Sequence, residues 1–282
     1  MMAKVTFGYI VGGADKHYNN MIRSVSSLER IEQDYNVLIL DADGRLENDD
    51  PKVKIVHYPI DNQSSDGWFQ PHYWQMRYHL YEHLDTDYCF YMDSDTVIVN
   101  DRVDELVEES EDKFMICRHW WVPTLGQYAR NVRNSLELHP EIIGGATEDT
   151  PYIASGLFLF KNGDHNNVFE KFAQKFDQVF SSGKNADGIT DEMLLSLSLH
   201  ETQNYKFTNG SMNHSSNREQ MPLIYTDNFY GKNPQDEEFK PVFAFHNDIE
   251  EFYGMPYFHG KSTSEDELFL KKLKEVCYME EQ

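Results

Sequence analysis

Four short apolar runs, Val5 to Val11, Val37 to Leu40, Val53 to Val56 and Tyr88 to Met92, punctuate the first third of the chain. Between the first two lies a helical pattern, with Met21, Ile22, Val25 and Leu28 at i, i+3 and i+4 spacing, and Trp74 to Leu84 also reads as a helix. Strands that alternate with helices pack as an α/β domain around a mostly parallel sheet. Val5 to Val11 closes on Gly12-Gly13 and reads as a buried first strand with a tight turn, and Tyr88 to Met92 as a central strand. Residues 61–71 are polar with Gly and Pro and read as a loop.

The second half is mixed. Tyr152 to Phe160 is strand-like, and Val168, Phe169, Phe172, Phe176 and Phe180 mark one face of an amphipathic helix. Met193 to Leu199 predicts a second helix, opened by Thr190-Asp191-Glu192. Residues 208–220 are Asn/Ser-rich and read as a mobile loop, and a capping box at Ser264 to Glu267 opens a last helix. No internal repeat or Pro/Ser linker divides the chain, so all 282 residues are expected to form one domain. Within it, residues 1–100, with the regular strand–helix alternation, and residues 101–282, with the mixed pattern, read as two halves.

Charge limits the partners. With 48 acidic against 25 basic residues the formal net charge is −23. Like-charge repulsion then disfavours nucleic acid and anionic membranes. A phosphorylated ligand would need a metal cation or a few focused Lys/Arg. Cys89, Cys117 and Cys277 are odd in number and lack metal-site spacing, as expected of reduced thiols in a cytoplasmic protein. The N-terminal apolar run is short for a signal peptide, and no stretch approaches the ~20 apolar residues of a membrane span.

The chemistry concentrates in Tyr88-Cys-Phe-Tyr-Met-Asp93-Ser-Asp95, where a hydrophobic strand delivers two carboxylates before a second apolar run. Such hard oxygen ligands suit Mn²⁺ or Mg²⁺ shared with a diphosphate. Asp-x-Asp triplets also arise from composition alone, and others stand at Asp41–Asp43 and Asp85–Asp87. Only the triplet at 93–95 follows a buried-type strand, where ligand sites of α/β sheets lie. The pair Asp191-Glu192 suits a helix cap as well as catalysis, because acidic residues favour the first helical turn. Arg118-His119-Trp120-Trp121 opens a loop and offers ring faces to a sugar.

In this order the motifs resemble nucleotide-sugar-dependent glycosyltransferases of the GT-A fold. The segments Tyr152-Ile-Ala-Ser-Gly156 and Asn185-Ala-Asp-Gly-Ile-Thr-Asp191-Glu192 look most like retaining family 6, the blood-group-type galactosyl and N-acetylgalactosaminyl transferases. Phe258-His259-Gly260-Lys261 is similar to the His-x-x-Gly-x-x-Lys ending of retaining family 8, with His, Gly and Lys contiguous here.

The resemblance implies Asp93, Asp95 and His259 as metal ligands, with His246 a second choice for the histidine. It implies donor contacts from Tyr9 and Val11 to uracil and from Arg77 to ribose, sugar or phosphate. Ser94 joins the donor contacts, Ser155 and Gly156 line the sugar pocket, and Lys261 meets the diphosphate. Asp191 would bind sugar hydroxyls, and Glu192 would serve as nucleophile or electrostatic stabiliser at the anomeric carbon. His119, Trp120 and Trp121 would receive the acceptor. The activity implied is transfer of Gal, GalNAc or Glc from a UDP-sugar to a glycan hydroxyl. Two other classes stay open: a non-catalytic glycan- or metal-binding module, and a sugar-phosphate nucleotidyltransferase. The latter normally carries an Arg- and Lys-bearing loop after its first strand, and Gly12-Gly13-Ala-Asp15 lacks the Arg.

Overall fold

The computed structural model describes residues 4–59, 71–98, 100–119 and 122–208, together with short strands between 213 and 246. Its centre is a seven-stranded sheet. The first strands are β1 (Val5–Val11), β2 (Tyr35–Asp41), β3 (Val53–His57) and β4 (Tyr88–Met92). After β5 (Val97–Ile98), which lies outside this sheet, come β6 (Phe114–Arg118), β7 (Ile153–Lys161) and β8 (Tyr205–Phe207). The order is β3-β2-β1-β4-β7-β6-β8. The pairs β1–β2, β1–β4, β2–β3 and β6–β8 are parallel, while β7 runs antiparallel to both β4 and β6. Chain order therefore reverses at β1, with β2 on one side and β4 on the other, and this opens a crevice at their carboxyl ends.

The apolar runs are solid because both faces of the sheet are covered. Along β4, Cys89 and Tyr91 enter a core with Met76, Leu80, Phe158, Phe160 and Phe172. Phe90 and Met92 enter the opposite core with Phe7, Tyr9, Val11, Met21 and Leu106. The first core is roofed by α2 (Pro71–His79), α5 (Asn166–Phe180) and α6 (Asp191–Thr202); the second by α1 (Asp15–Ser27) and α3 (Val103–Ser110).

Helix α6 is buried from Met193 to Leu199. Its buried serines satisfy their hydroxyls on the preceding turn, Ser196 Oγ donating to Glu192 O and Ser198 Oγ to Leu194 O, each at 2.7 Å. In α1 the buried stripe is Tyr18, Met21, Ser24 and Ser27, continued by Leu28 in the 3₁₀ turn that follows, and Ile22, expected inward, is 54% exposed. The stripe steps by three and four residues, which rotates Ile22 off it. The helix expected over 74–84 is α2 followed by a tighter 3₁₀ turn at Leu80–His83. Helices α3 and α4 (Leu125–Leu138) answer no sequence expectation. Within the stretch expected to be a loop, β9 (Asn213–Ser215) pairs with β10 (Ala244–His246), which also pairs with β5. The last helix and Cys277 lie outside the described residues; Cys89 and Cys117 are buried, and Cys117 Sγ lies 3.3 Å from Thr208 Oγ1. Among the described residues no helix is long and apolar enough to cross a membrane.

The entry to α5 holds a pH-sensitive group. His165 is fully buried, and its Nδ1 accepts the backbone N–H of Lys161 at 2.8 Å, so the ring must be neutral. Burial pushes its pKa down to about 4, with Asp164 and Asp112 opposing the shift and Lys161 adding to it. The unfolded chain takes this proton near pH 6.5 and the folded chain refuses it until about pH 4. Stability from this group is complete above that window and is lost as pH falls through it, about 2 kcal/mol by pH 5. Urea unfolding at pH 7 and pH 5 should give a wild-type difference larger by about that amount than in His165→Gln. Equal differences would remove His165 as the cause.

Candidate active site

Strand β4 ends in a turn fastened to its neighbour. Asp93 N donates to Gly156 O on β7 at 2.8 Å, Thr96 N closes the turn onto Asp93 O at 3.0 Å, and Thr96 Oγ1 adds a bond to Gly156 O at 3.3 Å. Thr96 is buried, while Asp93, Ser94 and Asp95 are half-buried at the mouth of the crevice. The two carboxylates are thus carried on a rigid strand end.

Arg77 on α2 lies beneath them, 4% exposed. Its Nη2 donates to Tyr91 Oη at 2.9 Å and to Asp93 Oδ1 at 3.2 Å, and its Nη1 pairs with Asp191 Oδ2 at 2.5 Å. Tyr91 donates to the same Asp93 Oδ1 at 2.5 Å, and its ring lies 4.5 Å below the guanidinium. Burial works against the charge of Arg77, but Tyr91, Asp191 and Asp93 together raise its pKa. Burial also pushes Asp191 above the ordinary carboxylate range, and Arg77 is the group that pulls it back. Tyr91, raised by burial, stays a neutral donor.

Asp191 and Glu192 sit in the first turn of α6, where the helix dipole favours negative charge. Thr190 caps the helix, its Oγ1 accepting from Met193 N at 3.3 Å. Glu192 turns back onto β7. Its Oε1 accepts from Ser155 N at 3.1 Å and Oγ at 3.5 Å, and its Oε2 from Tyr152 Oη at 3.3 Å. Tyr128 of α4 stacks on Tyr152, with centroids 4.5 Å apart and planes 13° off parallel, and its hydroxyl donates to Gly188 O at 2.7 Å. Capping and presentation of an acidic pair are served by the same three residues.

The structure thus gathers Asp93, Ser94, Asp95, Arg77, Asp191, Glu192, Ser155 and Gly156 around one crevice. It keeps the ring of Tyr9 away from a stacking position on uracil. Tyr9 is fully buried, its hydroxyl donating to Met92 Sδ at 3.5 Å and accepting from Ser24 at 3.1 Å, so no ring face is open to a base. Val11 is buried, and its carbonyl accepts from Ala42 N at 2.9 Å. Arg77, expected to reach a donor, holds two protein carboxylates at the crevice. His119 ends β6 beside the site: its N–H donates to Tyr152 O at 2.9 Å and its ring lies 5.5 Å from that of Tyr152. Trp120, Trp121, His259 and Lys261 lie outside the described residues, as does the side chain of His246.

Sequence reasoning passed over Tyr91 and Tyr152. Tyr91 carried a usable signal, since residues i and i+2 of a strand share a face and Tyr91 stands two before Asp93. Among the described residues no three His, Cys, Asp or Glu side chains are grouped to hold a metal. Asp93 and Asp95 fit a hard cation by donor chemistry, as part of a set completed by other oxygens.

The architecture matches solved glycosyltransferases of the GT-A fold. The galactosyltransferase LgtC, in complex with donor and acceptor sugar analogues, superposes with a TM-score of 0.60 at 13% identity, over 99% of this chain and 96% of that one. An active-site mutant of LgtC gives 0.56 at 13% identity, over 96% and 95%. Mouse xyloside xylosyltransferase 1, in its apo form, gives 0.50 at 12% identity, over 88% and 98%. The likeness is to retaining family 8 structures, whereas the motif order resembled family 6 first and family 8 only at the C-terminal end. At such identities the fold is what is shared. No family model and no curated protein matches the sequence.

Proposed function

We propose that this chain is a metal-dependent retaining glycosyltransferase that moves a hexose or N-acetylhexosamine from a UDP-sugar to a hydroxyl acceptor. One observation carries the reading: a single buried guanidinium joins Asp93, at the end of β4, to Asp191, at the start of α6. Two acidic motifs about a hundred residues apart, each suited to one half of a nucleotide-sugar donor, meet at one crevice. A structural ion pair does not require Asp95 and Glu192 beside it, nor a fold shared with glycosyltransferases.

Asp93 and Asp95 would hold Mn²⁺ or Mg²⁺, which when bound offsets the charge of the diphosphate leaving group. Arg77 pairs with Asp93 and Asp191 and fixes both carboxylates in direction. Asp191 takes hydroxyls of the donor sugar against Ser155 and Gly156, and Lys261 takes a diphosphate oxygen. Glu192 faces the anomeric carbon on the side away from UDP and stabilises positive charge there, while the bond to UDP breaks, the acceptor oxygen bonds to that carbon from the face UDP leaves, and the acceptor's proton passes to the departing diphosphate. The β6–α4 turn at His119 receives the acceptor.

Calorimetric titration of UDP with Mn²⁺, with EDTA, and into Asp95→Asn tests this directly. Binding should require the metal and weaken on the order of a hundredfold in the variant. An absence of heat in every condition would overturn the reading in favour of a glycan-binding module.

A further inference from the structure

Tyr152 has no part in the roles above, yet it is 1% exposed and lies directly behind Glu192. Its hydroxyl stands 3.2 Å from Thr190 Oγ1 and 3.3 Å from Glu192 Oε2. Elementary bookkeeping fixes which way the protons run. Thr190 Oγ1 already accepts the N–H of Met193, so its own proton is free to point at Tyr152. The carboxylate of Glu192 only accepts, so the Tyr152 proton points at Oε2; reversed, two lone pairs would face each other. The resulting chain runs from Met193 N–H to Thr190, to Tyr152 and to Glu192, each link polarising the next.

We propose that Tyr152 is a positioning residue that aims Glu192 and keeps it ionised, completing from Oε2 the grip that Ser155 N exerts on Oε1. This rests on the reading of the chain as a UDP-sugar transferase. The surroundings hold the phenol itself in place. Tyr128 stacks on one face, His119 N–H donates to the Tyr152 carbonyl, and Tyr152 N–H donates to Pro123 O at 3.1 Å. Burial, then the nearby Glu192, raise the Tyr152 pKa, so the hydroxyl remains a donor throughout the working range. The facing titratable groups are Glu192 and Asp191 from α6, Tyr128 from α4 and His119 from the end of β6. A hydroxyl present only to satisfy burial would need Thr190 alone.

The test uses Tyr152→Phe in the full chain, with Mn²⁺ and UDP-galactose, UDP-glucose or their N-acetylated versions as donors and water as acceptor. Phenylalanine retains the stack on Tyr128 and removes the hydroxyl, with both the proton it donates to Glu192 and the acceptor it offers Thr190. A charge-assisted hydrogen bond of this kind predicts that kcat falls about tenfold, with KM for the donor within about twofold. It also predicts that the acid limb of the pH profile moves up by about one pH unit, because an ionised group has lost a donor. Titration of the Glu192 carboxyl by ¹³C NMR, in the same variant without donor, should show the same upward movement and needs no turnover. An unchanged kcat and acid limb beside an active wild type would overturn the role of Tyr152 and leave the transferase reading intact. A wild type inactive on all four donors and unable to bind UDP would overturn the transferase reading, and the role of Tyr152 with it.

Discussion

Replacing Arg77 with methionine is expected to destabilise the chain by about 3–5 kcal/mol, the usual result of removing one partner from a buried charge cluster. Methionine fills much of the space of the arginine stem, so packing loss is minor and the charge dominates. Without the guanidinium, Asp93 and Asp191 are left as two carboxylates at one site, with Tyr91 still donating to Asp93 Oδ1. Burial already pushes the Asp191 carboxyl upward, and Arg77 is the leading countering charge, so in the variant Asp191 should hold its proton to higher pH than in the wild type. The double variant Arg77→Met/Asp191→Asn should recover part of the loss, because an amide in place of the stranded carboxylate removes the charge that cannot be solvated. In this double-mutant cycle, urea unfolding should give a coupling of at least about 2 kcal/mol. Additive effects, or a single-variant cost below about 1 kcal/mol, would mean that the cluster is solvated and that Arg77 does not organise the crevice. Metal-dependent UDP binding should also fall in Arg77→Met.

What the sequence displayed and what it concealed follow from how far apart the interacting residues lie. Strands β1 to β4 were legible because a strand covered on both faces leaves a solid apolar run. The acidic pairs at 93–95 and 191–192 were legible because each stands at the end of a regular element. Their meeting was not legible, because it depends on Arg77 turning inward from a helix whose other residues gave no such sign. Tyr9 misled for a geometric reason. It shares a strand face with Phe7 and Val11, and all three enter the core under α1 rather than the crevice. Helix α3 was hidden by its acidic sequence, since Val103, Leu106 and Ser110 are its only buried residues. Tyr152 resembled any core aromatic until the structure put its hydroxyl between Thr190 and Glu192.

Glu192→Gln is expected to lower kcat by about 10²–10³, with little change in donor KM or in metal-dependent UDP affinity, as when charge stabilisation confined to the transition state is removed. The geometry makes this substitution sharper than its isosteric shape implies. A carboxylate accepts on both oxygens, here from Ser155 N on one side and Tyr152 Oη on the other. An amide accepts on one side only. If its oxygen keeps the Ser155 N–H, its NH₂ group meets the Tyr152 hydroxyl as donor against donor, and Tyr152 must turn towards Thr190. The fold should survive, because Thr190 still caps α6 and Arg77 still holds Asp191, so melting temperature should change by only a few degrees. The pH profile carries the sign of the charge. Wild-type kcat rises as Glu192 ionises, whereas the glutamine variant has no group to ionise there and should lose that limb. Activity within about threefold of wild type, with the acid limb retained, would assign Glu192 to helix capping alone and leave Asp93, Asp95 and Asp191 as a donor-binding site without an acid at the anomeric carbon.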